Sequence, residues 1–183
     1  NLKELLEEQN LSKEERYLAN SYIAQAFINT KKLDSSLFYL KKSVFKQKDL
    51  LLNTRRKFLL AQLYQELSIQ DTAYSIYSDI IDLHRKIPRD FYINSYIKRT
   101  TVSDSIDNSI AELQLLTENF ENNNYLDIIF HQIAMLNLKK GELLNDDKSG
   151  FTITDSTAIN FFNKSLRSDS EEEFLIPKNY NEL

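Results

Sequence analysis

An internal repeat constrains this chain more than any other feature. Small residues recur at fixed places in two successive segments, Ala24 and Ser36 in the first and Ala61 and Ala73 in the second, each displaced by 37 residues from its counterpart. An aromatic residue stands three positions after the first small residue (Phe27, Tyr64), and Leu40 or Tyr77 stands four positions after the second. Apolar residues at three-and-four spacing surround both small residues, so each segment reads as two amphipathic helices joined by a very short loop. Paired helices approach most closely where side chains are small, and bulky residues fill the wedge between successive pairs.

The pattern extends along most of the chain. Ser12-Lys13-Glu14-Glu15 fits a capping box and opens a first helix, with Leu18, Tyr22, Ala26 and Ile23, Phe27 as its apolar positions and the polar stretch Asn29 to Lys32 as its end. Asp34 is a candidate cap for the second helix, which carries Leu37, Tyr39, Leu40 and Val44. The next hairpin has Phe58, Leu59, Leu60, Ala61, Leu63 and Tyr64, then, after Asp71, Ala73, Ile76, Tyr77, Ile80 and Ile81. Pro88 closes it, being tolerated only in the first turn of a following helix.

A third hairpin reads from Phe91, Tyr92, Ile93, Tyr96 and Ile97 into Ser109, Leu113 and Leu116, with Ser103 and Asp104 as candidate caps. A fourth reads from Tyr125, Ile128, Ile129, Ile133, Ala134 and Leu138 into Ala158, Phe161, Phe162 and Leu166. Ala134 and Ala158 lie 24 residues apart where Ala61 and Ala73 lie 12 apart, which implies an insertion over about residues 141–153 containing Asn145, Asp146, Asp147 and Gly150. The expected organisation is a helical lead-in over 1–11, repeats over about 12–49, 50–87, 88–121 and 122–167, and an acidic tail or truncated next segment over 168–183 that carries Leu175, Ile176 and Pro177. The period lies close to the 34 residues of a tetratricopeptide repeat. The fold class is therefore all-α, a tetratricopeptide-like solenoid of about four helical hairpins.

Composition supports this class and narrows the chemistry. Only 2 glycines and 2 prolines among 183 residues leave too few turn formers for a many-stranded β fold, and 42% apolar content supplies a substantial core. With a net charge of −4 and both signs interspersed, the sequence as a whole gives no concentrated positive field for a phosphate backbone, so nucleic acid is not an expected partner. The absence of cysteine removes disulfides, thiolate nucleophiles and Cys-ligated zinc. No apolar run approaches the roughly 20 residues that span a bilayer, so no membrane insertion is expected, and the start at Asn1 reads as an excised piece.

Candidate catalytic groups do not assemble. His84 and His131 lie 47 residues apart without ligand spacing around either, and the only glycines, Gly141 and Gly150, cannot build a phosphate loop. Asp146-Asp147-Lys148-Ser149-Gly150 lacks the alternating oxygens and final glutamate of a calcium loop. Neither an enzymatic activity, a metal nor a cofactor is expected. What remains is the groove that stacked hairpins present along their first helices. By repeat register its outward positions are Ser21, Gln25 and Ile28, then Arg55, Phe58, Gln62 and Gln65, then His131 and Met135, a mixture of amide, aromatic and basic groups suited to an extended or helical peptide.

The stretch from Arg55-Arg56-Lys57-Phe58 through Gln65-Glu66-Leu67 to Ala73-Tyr74-Ser75-Ile76-Tyr77 resembles a segment of the SprE/PorW lipoproteins, which belong to the type IX secretion and gliding-motility machinery of Bacteroidota. The resemblance runs on through Asn124-Tyr125-Leu126-Asp127-Ile128-Ile129-Phe130 to Ala158-Ile159-Asn160-Phe161-Phe162, and covers about residues 17–168. It implies a periplasmic, outer-membrane-associated scaffold with an upstream lipid anchor, binding other proteins of an envelope complex and linking translocon to ring or motor components. It transfers no catalytic residue. The alternative is a cytoplasmic co-chaperone or regulatory module that captures a peptide in the groove. The same resemblance makes Asp71-Thr72-Ala73, Asp104-Ser105-Ile106 and Asp155-Ser156-Thr157 look like O-glycosylation sites of that phylum, although helix starts produce the same tripeptides and capping is the preferred reading.

Overall fold

The computed structural model describes residues 11–44, 49–144 and 153–168. Among the described residues it is all-helical, with no strand. The helices are α1 (Lys13–Asn29), α2 (Leu33–Ser43), α3 (Leu50–Glu66), α4 (Gln70–Ile81), α5 (Arg89–Thr101), α6 (Ile106–Thr117), α7 (Leu126–Leu144) and α8 (Ile153–Arg167), with 3-10 turns at His84–Lys86 and Phe120–Tyr125. They fall into two compact units, one ending at Ser95 and one beginning at Tyr96, so the division lies inside α5. In the first unit α1 packs on α2, α2 on α3 and α3 on α4; in the second, α6 packs on α7 and α7 on α8.

The small residues mark the centres of the hairpins. Ala24, Ser36, Ala61, Ala73, Ala134 and Ala158 are all fully buried. Ser36 also donates its hydroxyl to the Ala24 carbonyl at 3.1 Å, a polar link between α1 and α2 at their close approach. The loops repeat as well. Lys31 and Ser68, again 37 residues apart, both take left-handed backbone conformations (φ 56° and 60°). In each loop the left-handed amide donates three residues back (Lys31 to Ile28, Ser68 to Gln65), and the next amide donates five back (Lys32 to Phe27, Ile69 to Tyr64). This wraps up the last carbonyls of α1 and α3 and turns the chain directly into the next helix.

The helix starts follow local chemistry, with three revisions to the expected boundaries. The capping box is present: the Ser12 hydroxyl accepts from the Glu15 amide at 3.2 Å while the Glu15 carboxylate accepts from the Ser12 amide at 2.8 Å, and the Ser12 contacts hold that carboxyl below its ordinary pKa. Asp34 does not cap α2, which begins at Leu33 after Lys32; the aspartate sits in the first turn, where its charge suits the helix dipole. Ser105, and not Ser103 or Asp104, caps α6 by accepting from the Asn108 amide at 3.4 Å, and Ser103 supports it by accepting from the Ser105 amide. The serine of Asp104-Ser105-Ile106 therefore has a structural role as a cap. Residues 141–144 of the expected insertion continue α7, Gly141 being buried there, and α8 begins at Ile153; Asn145, Asp146, Asp147 and Gly150, like Leu175, Ile176 and Pro177, lie outside the described residues.

The first unit is cored by Leu40, Phe58, Leu59, Leu60, Leu63, Tyr77, Ile80, Ile81 and Phe91, the second by Leu113, Leu116, Ile129, Ile133 and Leu136. Each such side chain stabilises its unit by roughly 1.5–3 kcal/mol when fully buried. Phe58 meets Tyr77 and Phe91 edge to face, at centroid distances of 5.6 and 6.0 Å. Two sets of expected core positions are displaced. Leu18, Tyr22 and Ala26 form the exposed stripe of α1, whose buried face runs instead through Ala19, Ile23 and Ala24, and Leu166 of α8 is 84% exposed. Both sets have apolar helical spacing, which identifies a face but not whether anything covers it.

Buried polar groups tie the elements together. Arg56 is 1% exposed and donates from Nη1 to the Ser43 carbonyl in the last turn of α2 at 3.2 Å. Burial lowers the pKa of its guanidinium from the usual value, with Asp49 and Tyr22 opposing the shift. In the second unit Asn122 donates to the Leu116 carbonyl at 2.6 Å and Ser165 to the Asp127 carbonyl at 2.8 Å. Arg99 pairs with Glu112 at 2.7 Å, linking α5 to α6, and Lys140 pairs with Asp107 at 2.6 Å, linking α7 to α6.

Candidate protein interaction surface

The positions expected to face a groove separate into three groups. Ser21, Gln25 and Phe58 are buried, which corrects their reading as outward residues. Phe58 is held between Tyr77 and Phe91 because a bulky side chain in that register reaches the following hairpin. Gln25 donates to Asn29 Oδ1 at 3.0 Å along its own helix. Ile28, Gln62, Gln65 and His131 are half-buried, and Gln65 is engaged through Oε1, which accepts from the Tyr77 hydroxyl at 3.3 Å. His131 lies with its ring edge-on to Phe162 at 5.5 Å, so it packs against α8. Arg55 and Met135 are exposed.

In the first unit α3 therefore presents Arg55 and Gln62, one guanidinium and one amide within two turns of helix. Such groups donate to and accept from a peptide backbone without requiring a particular side chain. In the second unit α7 presents Met135, 45% exposed and adaptable as an apolar anchor. Among the described residues no pair of buried carboxylates lies around them. Among the described residues no group of three His, Cys, Asp or Glu side chains is placed to hold a metal ion. His84 begins a 3-10 turn with φ 49° and stacks edge-on to Tyr92 at 5.1 Å, which is a packing role.

Several accessible side chains escaped the repeat register. On α2, Phe38 is 53% exposed beneath Lys42, whose ammonium lies 3.9 Å from the ring centre, while Lys41 lies over Tyr64 at 5.1 Å. Phe38, Lys41 and Lys42 thus stand near the C-terminal end of α2. The i, i+4 spacing of Phe38 and Lys42 carried that signal in the sequence. Leu115 and Phe120 in the second unit are likewise exposed, at 65% and 80%.

No helix among the described residues is long and apolar enough to cross a membrane. No protein-family model matches the chain, and a search of characterised proteins returns no significant match.

Proposed function

We propose that the chain is a non-catalytic protein-binding scaffold, a tetratricopeptide-like array of four hairpins, and that it serves as a periplasmic subunit of the type IX secretion and gliding-motility machinery. The observation that carries the scaffold reading is the recurrence of one hairpin. Fully buried small residues pair at Ala24 and Ser36, Ala61 and Ala73, and Ala134 and Ala158, and the first two hairpins share one loop geometry. Arrays of this kind expose long helical surfaces and use them to hold other polypeptides. The secretion-machinery assignment rests on the sequence resemblance described above, with partners among envelope proteins.

The test is affinity capture of the protein from native envelopes, comparing wild type with an Arg55→Glu, Gln62→Ala, Met135→Glu triple variant. These side chains are not part of the buried core, so the variant is expected to retain wild-type helicity by circular dichroism. Loss of an envelope partner from the folded variant supports the reading. Failure of the wild-type protein to recover any envelope component overturns the compartment and the partner class together.

A further inference from the structure

The outward faces of α2 and α4 carry opposite charge. The repeat gives each residue of α2 a counterpart in α4, and the same places are buried in both, Ser36 with Ala73 and Leu40 with Tyr77. The same places are also exposed in both, Asp34 with Asp71, Phe38 with Ser75 and Lys42 with Asp79. Both helices pack on α3 within one compact unit, so repetition of one hairpin sets them side by side with these exposed positions turned the same way.

What occupies those positions differs. The turn before α2 and α2 itself hold Lys31, Lys32, Lys41 and Lys42 against a single acid, Asp34, and Phe38, 53% exposed, stands between the two lysine pairs in sequence. The α4 helix holds no basic residue. Asp71, Asp79 and, at the C-cap, Asp82 are exposed, with the small side chains of Ser75 and Ser78 between them in sequence.

Local structure accounts for part of this pattern. Lysines in the last turn of α2 and an aspartate in the first turn of α4 suit the helix dipoles. Asp79 and Asp82 do not, because they add negative charge at the carbonyl end of α4. Lys57 meets Asp79 at 3.3 Å, while Asp82 keeps exposed negative charge that a cation from another molecule would offset.

We infer that this face docks on a second copy of itself about a two-fold axis, giving a closed dimer in which α2 of each molecule lies antiparallel on α4 of the other. A face that is basic on one half and acidic on the other is complementary to itself after a half-turn, which selects a second copy as the occupant. Placing Phe38 opposite Ser75, where a small residue leaves room for the ring, sets Lys42 opposite Asp71 and Lys31 opposite Asp82, since both helices rise equally per residue. Asp34 then comes opposite Asp79, whose charge Lys57 already meets. The inference uses the recurrence of the first two hairpins and neither the partner nor the compartment proposed above, so the two can fail separately.

Sedimentation velocity over a concentration series of the 183-residue chain tests it. Wild type is expected to pass from monomer to dimer and stop there. Lys42→Glu and Asp71→Lys should each weaken dimerisation about tenfold or more, since each opposes like charges at both copies of the contact. Their equimolar mixture should recover wild-type affinity, because the heterodimer again opposes unlike charges at both copies. Phe38→Ala, which alters no charge, should weaken the dimer about tenfold. Circular dichroism reads whether each variant folds; should a charge variant lose helicity, Phe38→Ala and raised salt, both expected to weaken the dimer, decide instead. A wild type that stays monomeric at its solubility limit or grows beyond a dimer, a folded Lys42→Glu variant that dimerises as wild type does, or a mixture of folded variants that stays weak would each overturn the inference.

Discussion

The α2–α3 junction of the first unit and the α6–α7 junction of the second solve one problem with different chemistry. In both, a side chain donates to a carbonyl in the last turns of a helix, seven residues after a buried serine: Ser43, after Ser36, in α2, and Leu116, after Ser109, in α6, where the Asn119 amide donates as well at 3.4 Å. Helix C-terminal carbonyls need donors when they are buried. The first junction uses the guanidinium of Arg56, reaching from α3 across the packing face. The second uses the amide of Asn122 in the 3-10 turn that precedes α7, with the Asp107–Lys140 ion pair farther out. The two junctions share the position of the carbonyl, while the residue that donates to it comes from a different element in each.

The largest effect is expected at Arg56. Arg56→Ala removes a buried side chain and its hydrogen bond to the Ser43 carbonyl, at about 3 kcal/mol in urea unfolding; an Arg56→Met variant as stable as wild type would show that packing alone matters there. Ala61→Leu should cost about 2 kcal/mol by overpacking the α3–α4 contact, and a neutral result would mean that the small residues do not set the helix spacing. Asn122→Ala should cost about 1.5 kcal/mol, less than the arginine change; the reverse order would break the comparison between the junctions.

Ser68→Gly is expected to raise stability by about 1 kcal/mol, because a left-handed residue without a Cβ meets no steric penalty. Lys31→Gly should behave alike if the two loops are equivalent. The smallest effect near neutrality concerns Tyr77. Burial raises its phenol pKa well above the usual value, with Glu66 adding to the shift. The folded state therefore keeps a proton that the unfolded chain releases, and stability is full below about pH 10 and falls as pH rises beyond it. Thermal unfolding of Tyr77→Phe should show a shallower alkaline decline than wild type.

The sequence disclosed what depends on period and local capping. The 37-residue spacing placed Ala24, Ser36, Ala61 and Ala73, and Ser12 with Glu15 marked the start of α1. It could not disclose which apolar stripes are covered, because Leu18, Tyr22 and Leu166 share the spacing of core residues and yet are exposed. Phe58, Ser21 and Gln25 were read outward for the converse reason, since register gives a direction but not how far the next element reaches. The burial of Arg56 and Asn122 follows from carbonyls whose positions exist only once the helices pack. Lys31 and Ser68 were invisible as left-handed turns because neither is glycine.

That one hairpin recurs can be tested most directly by disulfide trapping, which the natural absence of cysteine makes unambiguous. Cysteine pairs at positions 24 and 36, 61 and 73, and 134 and 158 replace fully buried small residues of packed helix pairs, and a disulfide closes only where the Cα atoms lie within about 7 Å. All three pairs should close under mild oxidation at similar rates, while an exposed control pair at positions 22 and 38 should not. Closure of the first two with failure of the third would contradict the recurrence, leaving α7 and α8 as a helix pair of a different kind.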